Sequence, residues 1–484
     1  MTSTTSATLT SLGLGSGLDA ESIVTKLVAL ERQPITKLQT EASTIQSKIS
    51  AFGKIQSAVS TLRDAAAKLT SPDLWSSTAA TSSDETIAKV TTSSGAATGN
   101  YSVVVSSLAA AQTTVTAASV ASSTATVGSG TLTIDIGSWA ADNTFTQKSG
   151  TSSVSITIAS TDTLEGIRDK INSSGAAIKA SIVKDASTGA AKLALNSTAT
   201  GASNGFRIQA DASSTAGVAA LAFDPANSTT GTTRTQAATN ASATINGISV
   251  NSETNTISGA LTGIDIKVSK VSGTAVSVNV DQDNTTITAA IQAFATAYSS
   301  LYSTIKSNTK YDDSTKTAAA LQGDTTAVGM GNRLRTMLGA SSAASSVFSS
   351  LSSLGLQVQS GGALTVNSTK LTSALSNLAE VKKAFAAADT TGSGADGFAT
   401  RFRSLADELL GTEGPLTSRT SGLNTLVKNN SKRQDELDAR ATLYEKRLRA
   451  QYSALDTKMS QISSTSNYVT QMINTLNASN KSSS

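Results

Sequence analysis

Apolar residues recur every seven positions at both ends of this chain. Near the C-terminus, Ala441, Leu448, Leu455, Ile462, Val469 and Leu476 form one row, with Tyr452, Met459 and Ile473 four residues after members of it. Near the N-terminus, Leu38, Ile45, Phe52, Val59 and Ala66 keep the same spacing, with Ile49, Ile55, Leu62 and Leu69 alongside. An apolar repeat of 3.5 residues held over several heptads predicts a helical seam that faces another helix. The simplest pairing is between the two ends. Its coiled-coil seam would hold Leu38, Ile45, Phe52 and Val59 on one side and Leu448, Tyr452, Leu455 and Met459 on the other. A helix is expected to start at a cap on Asp19 or Ser22, with Ile23, Leu27 and Leu30 on one face. Pro34 is expected to interrupt it, because proline removes a hydrogen-bond donor and crowds the preceding turn. The helix should resume at Ile35 and close before Pro72.

From about 76 to 281 the apolar period changes to two. Tyr101-Val103-Val105, Leu132-Ile134-Ile136, Val154-Ile156-Ile158, Leu193-Leu195, Phe206-Ile208, Ile264-Ile266-Val268 and Val276-Val278-Val280 predict half-buried strands. Asn246-Gly247 between Ile245 and Ile248 predicts a two-residue hairpin, since both central positions need positive φ. One helix, through Leu164, Ile167, Arg168 and Ile171, is expected there with Thr161 or Asp162 as its cap. The Ser-, Thr-, Ala- and Gly-rich tracts 116–126 and 226–243 read as exposed loops or domain joints.

The helical period returns near 285 with Ile287, Ile291, Phe294, Tyr298, Leu301 and Ile305. A short helix through Met330 and Leu338, a hairpin through 354–364, and helices near 368–387 and 396–410 follow. The Gly414-Pro415 break then precedes a last helix from about 417 to 476. The fold class is α+β and multidomain: terminal coiled-coil helices and a helical core domain carry nested β-rich insertions.

Composition sharpens this picture. At 484 residues the chain exceeds what one core usually supports, and aromatic residues make up 4% and charged residues 15%. The net charge of +4 comes from scattered Lys and Arg without a basic run, which argues against nucleic acid as a partner. No apolar run reaches the ~18–20 residues of a membrane span. The opening residues lack the charged and apolar regions of a cleavable secretory signal. The expected route is therefore cytosolic residence or export without that signal.

Cys and His both number zero, which removes the usual nucleophiles, general bases and soft metal ligands. What remains is weak. Ser303 and Lys306 form an S-x-x-K one helical turn apart, expected by chance in so Ser-rich a chain and without its S-D-N or K-T-G companions. Asp281 and Asp283 begin like a calcium loop but lack its glycine and terminal glutamate, and fit a helix cap better. The Gly13-Leu14-Gly15-Ser16-Gly17 stretch lacks the preceding strand and spacing of a phosphate loop. No enzyme, cofactor or metal is expected.

Several motifs, in order, resemble the bacterial flagellar filament cap, or flagellar hook-associated protein 2, family. They begin with GLGSGLDAESIVTKLVALERQPITKL from Gly13 to Leu38. Next come 243–250 with Asn246-Gly247 running into Asn255 and Gly263, then Phe294 with Tyr298-Ser299-Ser300-Leu301. Tyr311-Asp312, Leu321-Gln322-Gly323-Asp324, Arg419, Gly422-Leu423, and Arg449 to Asp456 follow, with Tyr452 where the family often has Phe. The resemblance covers roughly 13–75 and 243–476. It implies a ring-like homo-oligomer, typically a pentamer, at the distal tip of the flagellum, which retains exported flagellin and promotes its polymerisation. It further implies neighbouring hook-associated proteins, export through the flagellar type III apparatus, and a cytoplasmic chaperone at the C-terminal region. On this basis 1–42 would be an N-terminal leg helix and 43–75 with 285–440 the helical core. Residues 76–130 with 241–284 would form one β-rich head domain, 131–240 an outer one, and 441–484 a C-terminal leg. The leg surface facing the filament would use Leu18, Ile23, Leu27, Leu30, Ile462, Val469, Ile473 and Leu476. The competing expectations are another axial component (a hook–filament junction protein or flagellin) and a surface adhesin whose Ser/Thr-rich β domains bind host glycans.

Overall fold

The computed structural model describes residues 19–227, 229–389 and 395–481; Leu18 and the Gly13–Gly17 stretch lie outside them. The chain forms two compact units, Met1–Ser71 with Thr288–Ser484, and Pro72–Ile287. The expected divisions were at 75/76 and 284/285.

The first unit is helical. Its N-terminal helix, Ala20–Thr70, starts where Asp19 accepts a hydrogen bond from the Ser22 amide at 3.1 Å. It runs unbroken through Pro34, contrary to the expected interruption. Pro34 and Leu30, whose carbonyl loses its i+4 donor, both lie on the exposed side. The gap in the hydrogen-bond ladder therefore faces water, which satisfies the carbonyl. The opposite side buries Ile45, Phe52, Ile55, Val59, Leu62, Ala66 and Leu69. The C-terminal helix, Pro415–Lys481, opens on a proline at the one turn where a missing N–H costs nothing. It lies antiparallel to the N-terminal helix, as the cross-pairs Glu21–Arg449, Glu31–Arg440 and Arg32–Asp438 establish.

Helices Asn284–Thr309 and Phe398–Leu410 supply aromatic packing, with Phe402 edge-on to Phe294 at 5.3 Å and to Tyr298 at 5.8 Å. The Leu321-Gln322-Gly323-Asp324 motif acquires a physical reason here. Leu321 is buried, and Gly323 adopts φ +73°, which favours glycine. Asp324 caps the helix Thr325–Gly339 through the Thr326 and Ala327 amides and takes the Arg419 guanidinium at 2.8 Å. Two motifs 95 residues apart thus meet in one buried carboxylate, whose charge is matched by both a helix terminus and a cation.

The second unit is β-rich and holds two cores. In one, strands Thr78–Ser82, Val276–Gln282, Gly99–Ser107, Ala241–Ile245 and Ile248–Ser252 form a sheet in that spatial order. A second sheet of Thr256–Leu261, Ile264–Val268 and Ala88–Thr92 completes it. Alternate residues such as Val103, Val105, Val278, Val280, Ile264 and Ile266 fill the space between them. Asn246 and Gly247 have φ +51° and +82°, and Ile245 pairs with Ile248, as the predicted hairpin requires.

The other core spans Val127 to Phe223 and lies between two further sheets and the helix Leu164–Ser173. Three expectations change here. The helix cap is Thr163, which accepts from the Gly166 amide at 3.1 Å, while Asp162 accepts from the Ala159 amide and pairs with Lys170. The tract 226–243, taken as a loop, contributes strands, whereas 117–126 holds none: Thr232–Gln236 pairs with Thr113–Thr116, which pairs with Ala191–Ser197. Thr114, Thr116 and Thr232 are buried there. Threonine suits a pleated surface, yet it gives no apolar alternation to read. The outer sheets consequently begin near 113 rather than at 131.

Candidate functional site: the terminal helix pair

At the open end of the antiparallel pair, Val24, Val28 and Leu448 form a small buried cluster, flanked by partly buried Leu27, Tyr444 and Tyr452. Charges close over it. The Arg449 guanidinium forms two hydrogen bonds of 2.6 Å to the Glu21 carboxylate and a third of 2.9 Å to Glu445. The Arg449 hydrogen bonds hold the Glu21 carboxyl below its ordinary pKa, and the paired carboxylates push Arg449 further up. Arg440–Glu31 and Arg32–Asp438, both at 3.3 Å, continue the clamp along the pair.

The pairing ends there. The N-terminal helix begins at Ala20, opposite Arg449, and every residue from 457 to 478 of the C-terminal helix is exposed. Leu455 at 45% and Met459 at 37% exposure therefore fall outside the intramolecular seam expected of them. Leu448 and Tyr452 do pack within the pair, but on Val24, Val28 and Leu27 rather than on the expected Leu38, Ile45, Phe52 and Val59, of which the last three are buried and Leu38 half-buried further along the N-terminal helix. Beyond Tyr452 the seven-residue row continues in the open: Ile462 is 62% exposed, and Val469, Ile473 and Leu476 are exposed with it. Tyr468 and Met472, which the heptad count did not single out, widen the apolar surface. They sit four residues apart, and stepping back four residues at a time from Leu476 would have found both.

At the N-terminal side the structure separates the three expected leg residues that it describes, Leu18 lying outside. Leu30 is exposed, Ile23 is half-buried, and Leu27 packs on the Val24–Val28–Leu448 cluster. Val24 was legible in the sequence, for it stands two heptads before Leu38. Elsewhere Asp283 caps the helix beginning at Asn284 through the Thr286 amide at 2.9 Å. Asp281 instead lies in the strand Val276–Gln282, bonded to Asn279. Among the described residues no group of three or more acidic side chains is placed to hold a metal ion, and no helix is long and apolar enough to cross a membrane.

Comparison with known proteins bears on what such a helix pair is for. The family model for the flagellar hook-associated protein 2 C-terminus matches residues 238–464, and that for its N-terminus matches 16–112. A flagellin hook IN motif matches 144–199, around the Leu164–Ser173 helix. Over 480 residues the chain is 31% identical to the flagellar hook-associated protein 2 of Escherichia coli strain K12, covering 96% of this chain and 98% of that one. The chain belongs to the flagellar hook-associated protein 2 family. Another member, from Salmonella typhimurium, is 29% identical over 484 residues, covering 98% of this chain and all of that one. The crystal structure of the D1-D2-D3 domains of the flagellar cap protein from Escherichia coli is similar, with a TM-score of 0.62 at 29% identity. The match covers 77% of this chain and 99% of that one. The α+β multidomain architecture is thus the architecture of hook-associated protein 2.

Proposed function

We propose that this chain is a non-enzymatic flagellar filament cap. It assembles with copies of itself, as a pentamer, at the distal tip of the filament, beyond the other hook-associated proteins. There it retains exported flagellin and promotes its polymerisation. The observation that carries this reading is a heptad seam that is satisfied internally up to Tyr452 and open beyond it, in a chain of this family. The open stretch, with Ile462, Val469, Ile473 and Leu476 at its centre and Leu30 and Ile23 on the facing helix end, is the leg surface that meets the filament. Such a contact must hold and release repeatedly as subunits add. Apolar side chains at ~1.5–3 kcal/mol each when fully buried give a grip that a handful of residues makes firm but reversible. Export runs through the flagellar type III apparatus without a cleaved signal. A cytoplasmic chaperone covers the same C-terminal stripe beforehand, since exposed apolar rows invite aggregation. Deleting the gene tests the proposal: the mutant should release flagellin monomer into the medium and carry no filaments. A mutant with normal filaments and no released flagellin would overturn it.

A further inference from the structure

In the helical unit, a cleft of about 480 Å³ opens between the helix Asn284–Thr309, the end of the helix Thr325–Gly339 and the turn after the strand Leu356–Val358. Two cations line it, Lys306 and Arg335, both exposed, and neither side chain has an ion-pair or hydrogen-bond partner among the described residues. No carboxylate is among the described lining residues. Lys306 belongs to the S-x-x-K noted in the sequence, but Ser303 does not line the cleft, so the lysine has a place there without its serine. Tyr298 and Tyr302 stack with centroids 6.3 Å apart and planes 7° from parallel. The Tyr298 hydroxyl is buried without a hydrogen-bond partner among the described residues, which is costly unless something accepts from it. Burial pushes that phenol up to about 12, so it stays a donor at neutral pH. Tyr302 adds to that rise and the Arg335 charge works against it. Gly362, at φ +88°, closes the other wall: a Cβ there would come within 2.1 Å of the Tyr302 ring. The cleft's width therefore depends on glycine.

We propose that this cleft is an anion site, taking a carboxylate or phosphate group between the Arg335 guanidinium and the Lys306 ammonium, with the tyrosine pair as its floor. A planar guanidinium matches either oxyanion bidentately, and an ammonium adds a second positive charge that no carboxylate in the lining neutralises. The site is independent of the filament-cap reading, since it involves neither terminal helix. The test uses the full chain labelled with 15N-glycine. Inorganic phosphate and, separately, glutarate are titrated at constant ionic strength while the Gly361 amide resonance, assigned from Gly361→Ala, is followed. A saturable shift is expected, weakened about tenfold or more in the Lys306→Gln/Arg335→Gln variant. A smaller loss is expected in Tyr298→Phe, whose thermal melt serves as the check on folding. Saturation by glutarate alone would identify the ligand as a carboxylate, such as an acidic side chain. Saturation by phosphate alone would identify a phosphoryl group, and saturation by both a general oxyanion site. A shift that never saturates, or that the double variant leaves unchanged, would overturn the proposal.

Discussion

The two parts of the C-terminal helix carry the same seven-residue apolar row and meet opposite fates. Up to Tyr452, Ala441 and Leu448 are buried against the N-terminal helix and clamped by the Arg449–Glu21 pair. From Leu455 onward the row faces outward. A heptad row states that a helix will pair; it does not state with what. The partner is set by length, because the N-terminal helix begins at Ala20. The covered part contributes to the stability of its own unit, and the open part is exposed throughout 457–478.

Substitutions in the two parts should therefore separate stability from assembly. Phe52, fully buried on the N-terminal helix, sets the upper end: Phe52→Ala should cost about 3–5 kcal/mol of unfolding free energy, measured by denaturant titration of the helical unit's transition. Leu448→Ala should cost about 2 kcal/mol, near the lower limit for a core leucine, because its cluster has only two other fully buried members. Ile462→Asp should change stability by less than about 0.5 kcal/mol in the same titration, as an exposed substitution. If Ile462→Asp destabilised the monomer as much as Leu448→Ala, the division at Tyr452 would be wrong.

The smallest effect concerns pH at the boundary itself. Glu21 has its folded pKa depressed by Arg449, so its contribution is fully present above the unfolded carboxylate value. It is lost as pH falls through the lower, folded value. Protection factors of the Val24 and Val28 amides, taken relative to intrinsic exchange, which itself slows on acidification, should fall as pH drops below the ordinary glutamate range. Glu21→Gln should show the faster opening already at neutral pH and lose the acid dependence. Equal protection in both proteins across that range would remove the clamp from the account.

How much of this was legible in the sequence follows from what periodicity encodes. The two-residue alternation located strands such as Gly99–Ser107 and Val276–Gln282, and Asn246-Gly247 located its hairpin. The strands Thr113–Thr116 and Thr232–Gln236 escaped because their buried positions are threonines, whose polarity hides the pattern. Pro34 misled because the cost of a proline depends on which side of the helix the freed carbonyl faces, a tertiary fact. At the candidate site the row of apolar positions was readable, while the point where pairing stops was not. That point depends on the register between two helices more than 400 residues apart, seen in the contact between Glu21 and Arg449. The cap at Thr163 rather than Thr161 or Asp162 is a smaller case of the same limit, since neighbouring capping residues are equivalent until the helix axis is fixed.

The most direct test asks whether the open row serves assembly. Cells lacking their own copy of the gene would be complemented with the wild-type chain, Leu455→Asp or Ile462→Asp, and flagellin monomer in the medium measured alongside filament length. The account predicts that both variants are exported with the β-rich unit folded, yet release flagellin and build short filaments or none. Normal filaments and no released flagellin in both variants would contradict it.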